Sequence, residues 1–300
     1  MEHLCWHKRR LVSLGPKIEG LSDGHPSKPR CLFQLSQVFG LVGNDVEQKR
    51  LLSHTLEIWR ERGDDRQVAR TLLRLSEVND HYYEEGEQQA KEALQVYEQL
   101  GDTAGQAECL RSLAALLCHD EQPDAAEEAA FRAIGFLPEK GSEYLLSYCQ
   151  RSLGMIYQSK GEIEKAIHRF ETALGIASSF GWHNEVSGDH YYLALLFSNQ
   201  GRFDEANAHV EHAKSRAVNS LYDLASSMYL QAILWSQQFK FEQAKSEALR
   251  AIEVFEKLGA EQDLGRCREV LKTFDSVQEQ VARLSLVVVS SWKSTTSSAR

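Results

Sequence analysis

The run RSLGMIYQSKGEIEKAIHRFETALGIASSFG, residues 151–181, decides the fold. Leu153, Ile156 and Tyr157 recur at spacings of three and four, which puts them on one stripe of a helix. Gly161 interrupts the pattern, and Ala166 and Ala173 then set two small residues on one face of a second helix that runs out at Gly181. The stretch predicts a helical hairpin in which the two helices cross closely over small side chains.

The same unit recurs on both sides. Ala93, Ala133, Ala173 and Ala251 each stand eight residues before Gly101, Gly141, Gly181 and Gly259, and Thr55 and Ala213 stand eight before Gly63 and Leu221. The positions 55, 93, 133, 173, 213 and 251 are separated by 38, 40, 40, 40 and 38 residues, which makes them a ruler for six repeats. Seven residues upstream of the ruler come Gly86, Ala126, Ala166, Ala206 and Ala244; twelve upstream come the turn glycines Gly43, Gly161 and Gly201. Repeats two, three and six carry His81, Glu121 and Phe239 at that turn instead. Leu113, Leu116 and Leu117 and then Leu193, Leu196 and Phe197 repeat the large stripe of the first helix, and read as core rather than as a cofactor box. Repeat two matches only if its first helix slides by two residues, which a two-residue deletion in the turn NDHYYEEGEQQ supplies.

These units, together with YYLALLFSNQGRFDEANAHVEHAKSRA at 191–217, resemble tetratricopeptide repeats of the longer, roughly 40-residue kind. The resemblance covers residues 29–262 and implies an all-α fold, a right-handed α-solenoid of about six hairpins of 38–40 residues. The runs LEIWRERGDD, LSEVND, QQAKEALQVYEQLGDTAGQAECLRSLAALL and KSEALRAIEVFEKLGA further resemble the C-terminal arrays of fungal NACHT or NB-ARC type signal-transduction ATPases. In those families the array is a sensor or scaffold attached to a nucleotide switch. This sequence has no GxxxxGK[ST] loop, so the resemblance implies a stand-alone array, a sensor arm of a split or truncated ATPase, or a subunit whose partner is the ATPase.

The ends read differently. Residues 1–28 form an irregular lead-in with one short helix at most, residues 263–283 an amphipathic capping helix over the last repeat, and 284–300 a disordered tail, with a strand added to a partner as the other reading. The start lacks the apolar core of a signal peptide and no apolar run nears the ~20 residues needed to span a bilayer, so the expectation is a cytoplasmic protein without membrane contact. Lys and Arg number 34 against 43 Asp and Glu, a net of −9, and the basic residues favour the two ends. That balance disfavours nucleic acid as the partner. The cysteines show no CxxC spacing and read as reduced, mostly buried thiols.

In a stack of hairpins the first helices line the concave surface. The position 22 residues before the ruler gives Arg111, Arg151, Tyr191 and Tyr229, and four residues on lie Ala115, Met155, Leu195 and Ile233. Arginines beside tyrosines over an apolar floor suit a protein or peptide ligand, an acidic and aromatic one, held as an extended segment or helix. The other reading makes the four ordinary packing residues between repeats. His209 and His212 share one helical face but lack an evident third ligand, so no metal is assigned. Ser187, Asp189 and His190 are too close along one helix to form a triad, and no phosphate loop, HExxH or GxSxG is present. The expectation is an interaction scaffold, not an enzyme, with no cofactor; self-association through the array's ends is a third class.

Overall fold

A computed structural model describes residues 13–40, 44–78, 83–138, 140–218 and 220–277. Every regular element among them is helical. A short helix α1 at 13–19 is followed by α2 (Lys28–Gly40), α3 (Asp45–Arg62), α4 (Asp65–Val78), α5 (Tyr83–Gln99), α6 (Thr103–His119), α7 (Pro123–Gly135) and α8 (Glu143–Ser159). Then come α9 (Ile163–Phe180), α10 (His183–Asn199), α11 (Phe203–Arg216), α12 (Leu221–Gln237), α13 (Phe241–Leu258) and α14 at 261–277. The helices pair as α2/α3, α4/α5, α6/α7, α8/α9, α10/α11 and α12/α13, each hairpin packing on the next. The chain is an all-α solenoid of six hairpins.

The ruler residues hold the hairpins shut. Thr55, Ala93, Ala133, Ala173, Ala213 and Ala251 are all fully buried on the second helices, as are Ala126, Ala166, Ala206 and Ala244. A side chain this small lets the facing backbone approach, and the first helix fills the space with Leu153, Ile156 and Tyr157 or Leu193, Leu196 and Phe197, all buried in one central cluster. Gly154 shows how tight this is: a Cβ there would come within 2.7 Å of the Phe170 ring.

The second helices α3, α9 and α13 end on a left-handed glycine, with φ of 65° at Gly63, 69° at Gly181 and 71° at Gly259, whereas α7 and α11 end on Phe136 and Ala217 at negative φ. The inner turns keep the same geometry even without glycine. Glu121 and Phe239 sit at φ 56° and 60°, matching 72° at Gly161 and Gly201, so the repeat's backbone path outlasts the residue that favours it. Gly43 and the turn 79–82 between α4 and α5, with His81, lie outside the described residues.

The two-residue slide of repeat two is visible in its burial. Val68, Ala69, Thr71, Leu72, Leu75 and Ser76 are buried on α4, the positions of Gln106, Ala107, Cys109, Leu110, Leu113 and Ala114 on α6 shifted by 38 rather than 40. At the end of the stack α14 lays Leu264, Cys267 and Phe274 against the last hairpin. Residues 278–283 of the expected capping helix and the tail 284–300 lie outside the described residues, as does the lead-in before residue 13. Among the described residues no helix is long and apolar enough to cross a membrane.

Candidate functional site

First helices of successive hairpins touch one another, α4 to α6, α6 to α8 and α10 to α12, and so form the inner face of the array. Two cavities open on it. The larger, about 670 Å³, is walled by α8, α10, α12 and α14, with Gly40 of α2 closing one side. The smaller, about 490 Å³, lies between α4, α6 and α8.

Of the residues singled out by the 22-residue offset, Arg151, Tyr191 and Tyr229 meet in the larger cavity, and Arg111 lines the smaller. Tyr148 lines both. Its ring lies 4.8 Å from the Arg151 guanidinium and 5.7 Å from that of Arg111, so the cavities share one aromatic wall. Ala115 lines the smaller cavity. Met155 and Leu195 line neither; both are half-buried against the central cluster.

The arginines are already engaged. Arg151 Nε donates to Asp189 Oδ1 at 2.6 Å and its Nη2 to the Glu185 carbonyl at 3.0 Å. Asp189 is fully buried, and although burial disfavours the Arg151 charge, the adjacent carboxylate raises its pKa above the usual guanidinium range. Arg111 pairs with Glu77, which also takes Arg74 Nη1 at 2.6 Å. Burial would raise the Glu77 carboxyl, but Arg111 and Arg74 hold it below the ordinary carboxylate range. Both arginines thus tie one repeat to the next, α4 to α6 and α8 to α10.

Tyrosines give the larger cavity its character. Tyr144 and Tyr148 donate to Glu185 Oε1 at 3.0 and 3.4 Å, and Tyr222 donates to Asp263 Oδ2 at 3.0 Å. The pairs Tyr144–Glu185 and Tyr222–Asp263 each join residues 41 apart, a tyrosine on one first helix to an acid on the next. Burial pushes the Tyr191 hydroxyl up to about 12 and raises that of Tyr229, so both rings are neutral contact surface at ordinary pH. Tyr144, Tyr148 and Tyr222 were not singled out by the offset. The first two lie seven and three residues before Arg151 and the third seven before Tyr229, so extending the stripe back along each helix would have found them.

Outside the groove, His190 on α10 meets His209 and His212 on α11. His190 Nδ1 is 2.9 Å from His209 Nδ1, and the His190 ring stacks on His212 at 5.0 Å. The pair on one helix therefore has a third histidine beside it, although among the described residues no group of three such side chains is arranged to hold a metal ion. Ser187, Asp189 and His190 go to three different partners, Ala213 O, Arg151 and His209. Cys31, Cys109, Cys118, Cys149 and Cys267 are free thiols, and burial pushes Cys109 up to about 12.

No protein-family model matches the chain, and no curated protein sequence matches it. Solved structures do match in fold. A Rap protein complexed with competence and sporulation factor is similar at TM-score 0.66 and 14% identity, over 90% of this chain and 80% of that one. The apo form of the quorum sensor NprR from B. thuringiensis gives 0.57 at 13%, over 90% and 82%. BtubC from P. vanneervenii gives 0.53 at 18%, over 74% and 91%. The chain shares with them a helical-repeat fold of the tetratricopeptide type.

Proposed function

We propose that this chain is a protein-interaction scaffold that holds an extended peptide or a helix in the groove lined by its first helices, in a cytoplasmic setting. The observation that carries the reading is the convergence of Arg151, Tyr191 and Tyr229, one register position on three successive helices, on one cavity of about 670 Å³. That volume falls within the range of about 300–1,000 Å³ usual for ligand sites, and rigid aromatic rings give contact area at small entropic cost. An array of this fold accommodates a bound factor in the Rap complex.

The double variant Tyr191→Ala with Tyr229→Ala tests it. Photo-crosslinking from position 148 should attach a partner segment in the parent, and the double variant should lower that yield about tenfold, as loss of two aromatic contacts would, with helical circular dichroism unchanged. An equal crosslink in both proteins would refute the groove.

A regulatory reading follows from the sequence resemblance: the array as sensor arm of a split or truncated NACHT or NB-ARC type ATPase. A structure of like fold is a quorum sensor, which favours a sensing role. A P-loop in a neighbouring reading frame whose product co-purifies with this chain would support it, and a neighbourhood without one would count against it.

A further inference from the structure

With Arg111 spent on Glu77 and Arg151 on Asp189, the groove has little positive charge left to offer an acidic segment. It offers negative charge instead. Glu185 and Asp223 each stand 28 residues before a ruler alanine, Ala213 and Ala251, and Asp263 follows Asp223 by the same 40 residues that separate repeats. The three carboxylates therefore hold one register on α10, α12 and α14, and all three line the larger cavity. The remaining cation on that wall, Arg266, is 57% exposed and lies 3.5 Å from Asp263.

An acid in the first turn of a helix has an ordinary explanation, since it complements the helix dipole. That explanation does not account for their meeting in one cavity. The same register holds Asp65 in repeat two, Gly105 in repeat three and Leu145 in repeat four, and of its acids those on α10, α12 and α14 line the larger cavity. Nor does it account for the tyrosines. Tyr144, Tyr148 and Tyr222 donate their hydroxyls to Glu185 and Asp263, which fixes the rings and adds electron density to their faces. One acceptor in the cavity wall and one behind it also lack donors. Asn184 Oδ1 is buried on the same wall with no hydrogen-bond partner, and the fully buried Asp189, next to the lining residue Gly188, keeps Oδ2 unpartnered. An unmatched acceptor at Asn184, tyrosine faces and a carboxylate row in one cavity call for a ligand that is cationic and rich in N–H donors.

We propose that the larger cavity is a subsite for a lysine or arginine side chain of the bound peptide, seated among the tyrosine rings and against the row Glu185, Asp223 and Asp263. The inference rests on the groove reading above and gives it a charge. Arginine fits both demands through its planar face and its five donors, and lysine fits as a compact charge.

The test is an array of ten-residue peptides, each made in three forms with lysine, glutamine or glutamate at the same two internal positions, probed with the full chain. The lysine form should be retained roughly tenfold over the glutamate form, the scale of a desolvated cation–π and ion contact. Glu185→Gln, Asp223→Asn and Asp263→Asn together keep acceptors for the tyrosine hydroxyls and should erase that preference while peptides are still held. Asp263→Asn alone should halve it or more, which keeps the question answerable if the triple variant fails to fold. A preference for glutamate, no preference, or a lysine preference intact in the carboxamide variants overturns the cationic subsite. Peptides that lose binding in the Tyr191→Ala, Tyr229→Ala variant without any charge preference leave the groove standing and this inference fallen. An array that holds no peptide overturns both.

Discussion

At the scale of single residues, the pair Arg151–Asp189 shows why a groove row read from spacing can mislead about charge. Asp189 lies 38 positions from its partner and on the next hairpin, and helical periodicity within one element carries no information about that contact. Removing the carboxylate leaves a nearly buried guanidinium alone, so Asp189→Ala should cost about 3–5 kcal/mol, whereas replacing both partners together, Arg151→Met with Asp189→Leu, should cost far less. Denaturant unfolding of the three proteins checks this, and equal losses in the single and double variants would exclude the pair as the cause. His190 makes a second prediction. Burial, then the neighbouring His209, His212 and Arg216, lower its pKa from 6.5 to about 4. Between those values the unfolded chain binds the proton and the folded chain does not, so this contribution is complete above 6.5 and lost as the pH falls towards 4. The unfolding temperature of His190→Gln should therefore drop less than the parent's across that window; parallel curves would show that His190 does not titrate as described.

Among elements, most of the fold was legible in sequence because its units are local and repeated. Fully buried small residues at 38 to 40 residue intervals mark the second helices, and the stripe Leu153, Ile156 and Tyr157 marks the first. The candidate site was legible only in part. Arg151, Tyr191 and Tyr229 shared an offset, and Tyr148 lies on the same stripe three residues before Arg151, but that it lines both cavities depends on how the helices stack, which no single helix's pattern encodes. The turns at Glu121 and Phe239 fall between these cases, since their positions were read from the ruler while their backbone form had to be seen. Phe239 holds a left-handed conformation with its ring 69% exposed, so it keeps the strain and gains little burial in return. Phe239→Gly should thus stabilise the protein by about 0.5–1 kcal/mol, the left-handed penalty less the extra entropy of glycine in the unfolded chain. An unchanged or lower midpoint in thermal unfolding would contradict that accounting.

For the whole molecule, a stack of hairpins is stabilised by what each repeat buries and by each interface with its neighbour. The final interface is made by α14, where Leu264 is 2% exposed against Phe255 and Ala251. Leu264→Ala should cost about 2–5 kcal/mol of local stability. Hydrogen exchange should report the loss in α12 to α14 while the amides of α4 and α5 keep their protection. Loss spread evenly from end to end would mean that the array unfolds as one unit.

The placement of Gly40 gives the array a mechanical character. The wall of the larger cavity runs from α8 to α14 and includes Gly40 of α2, so a residue of the first hairpin and the last described helix line one space. An occupant that touches both is a clasp on a spring. Its binding energy would appear as stiffness: the filled coil resists stretching, and tension applied to the two ends of the chain releases the occupant.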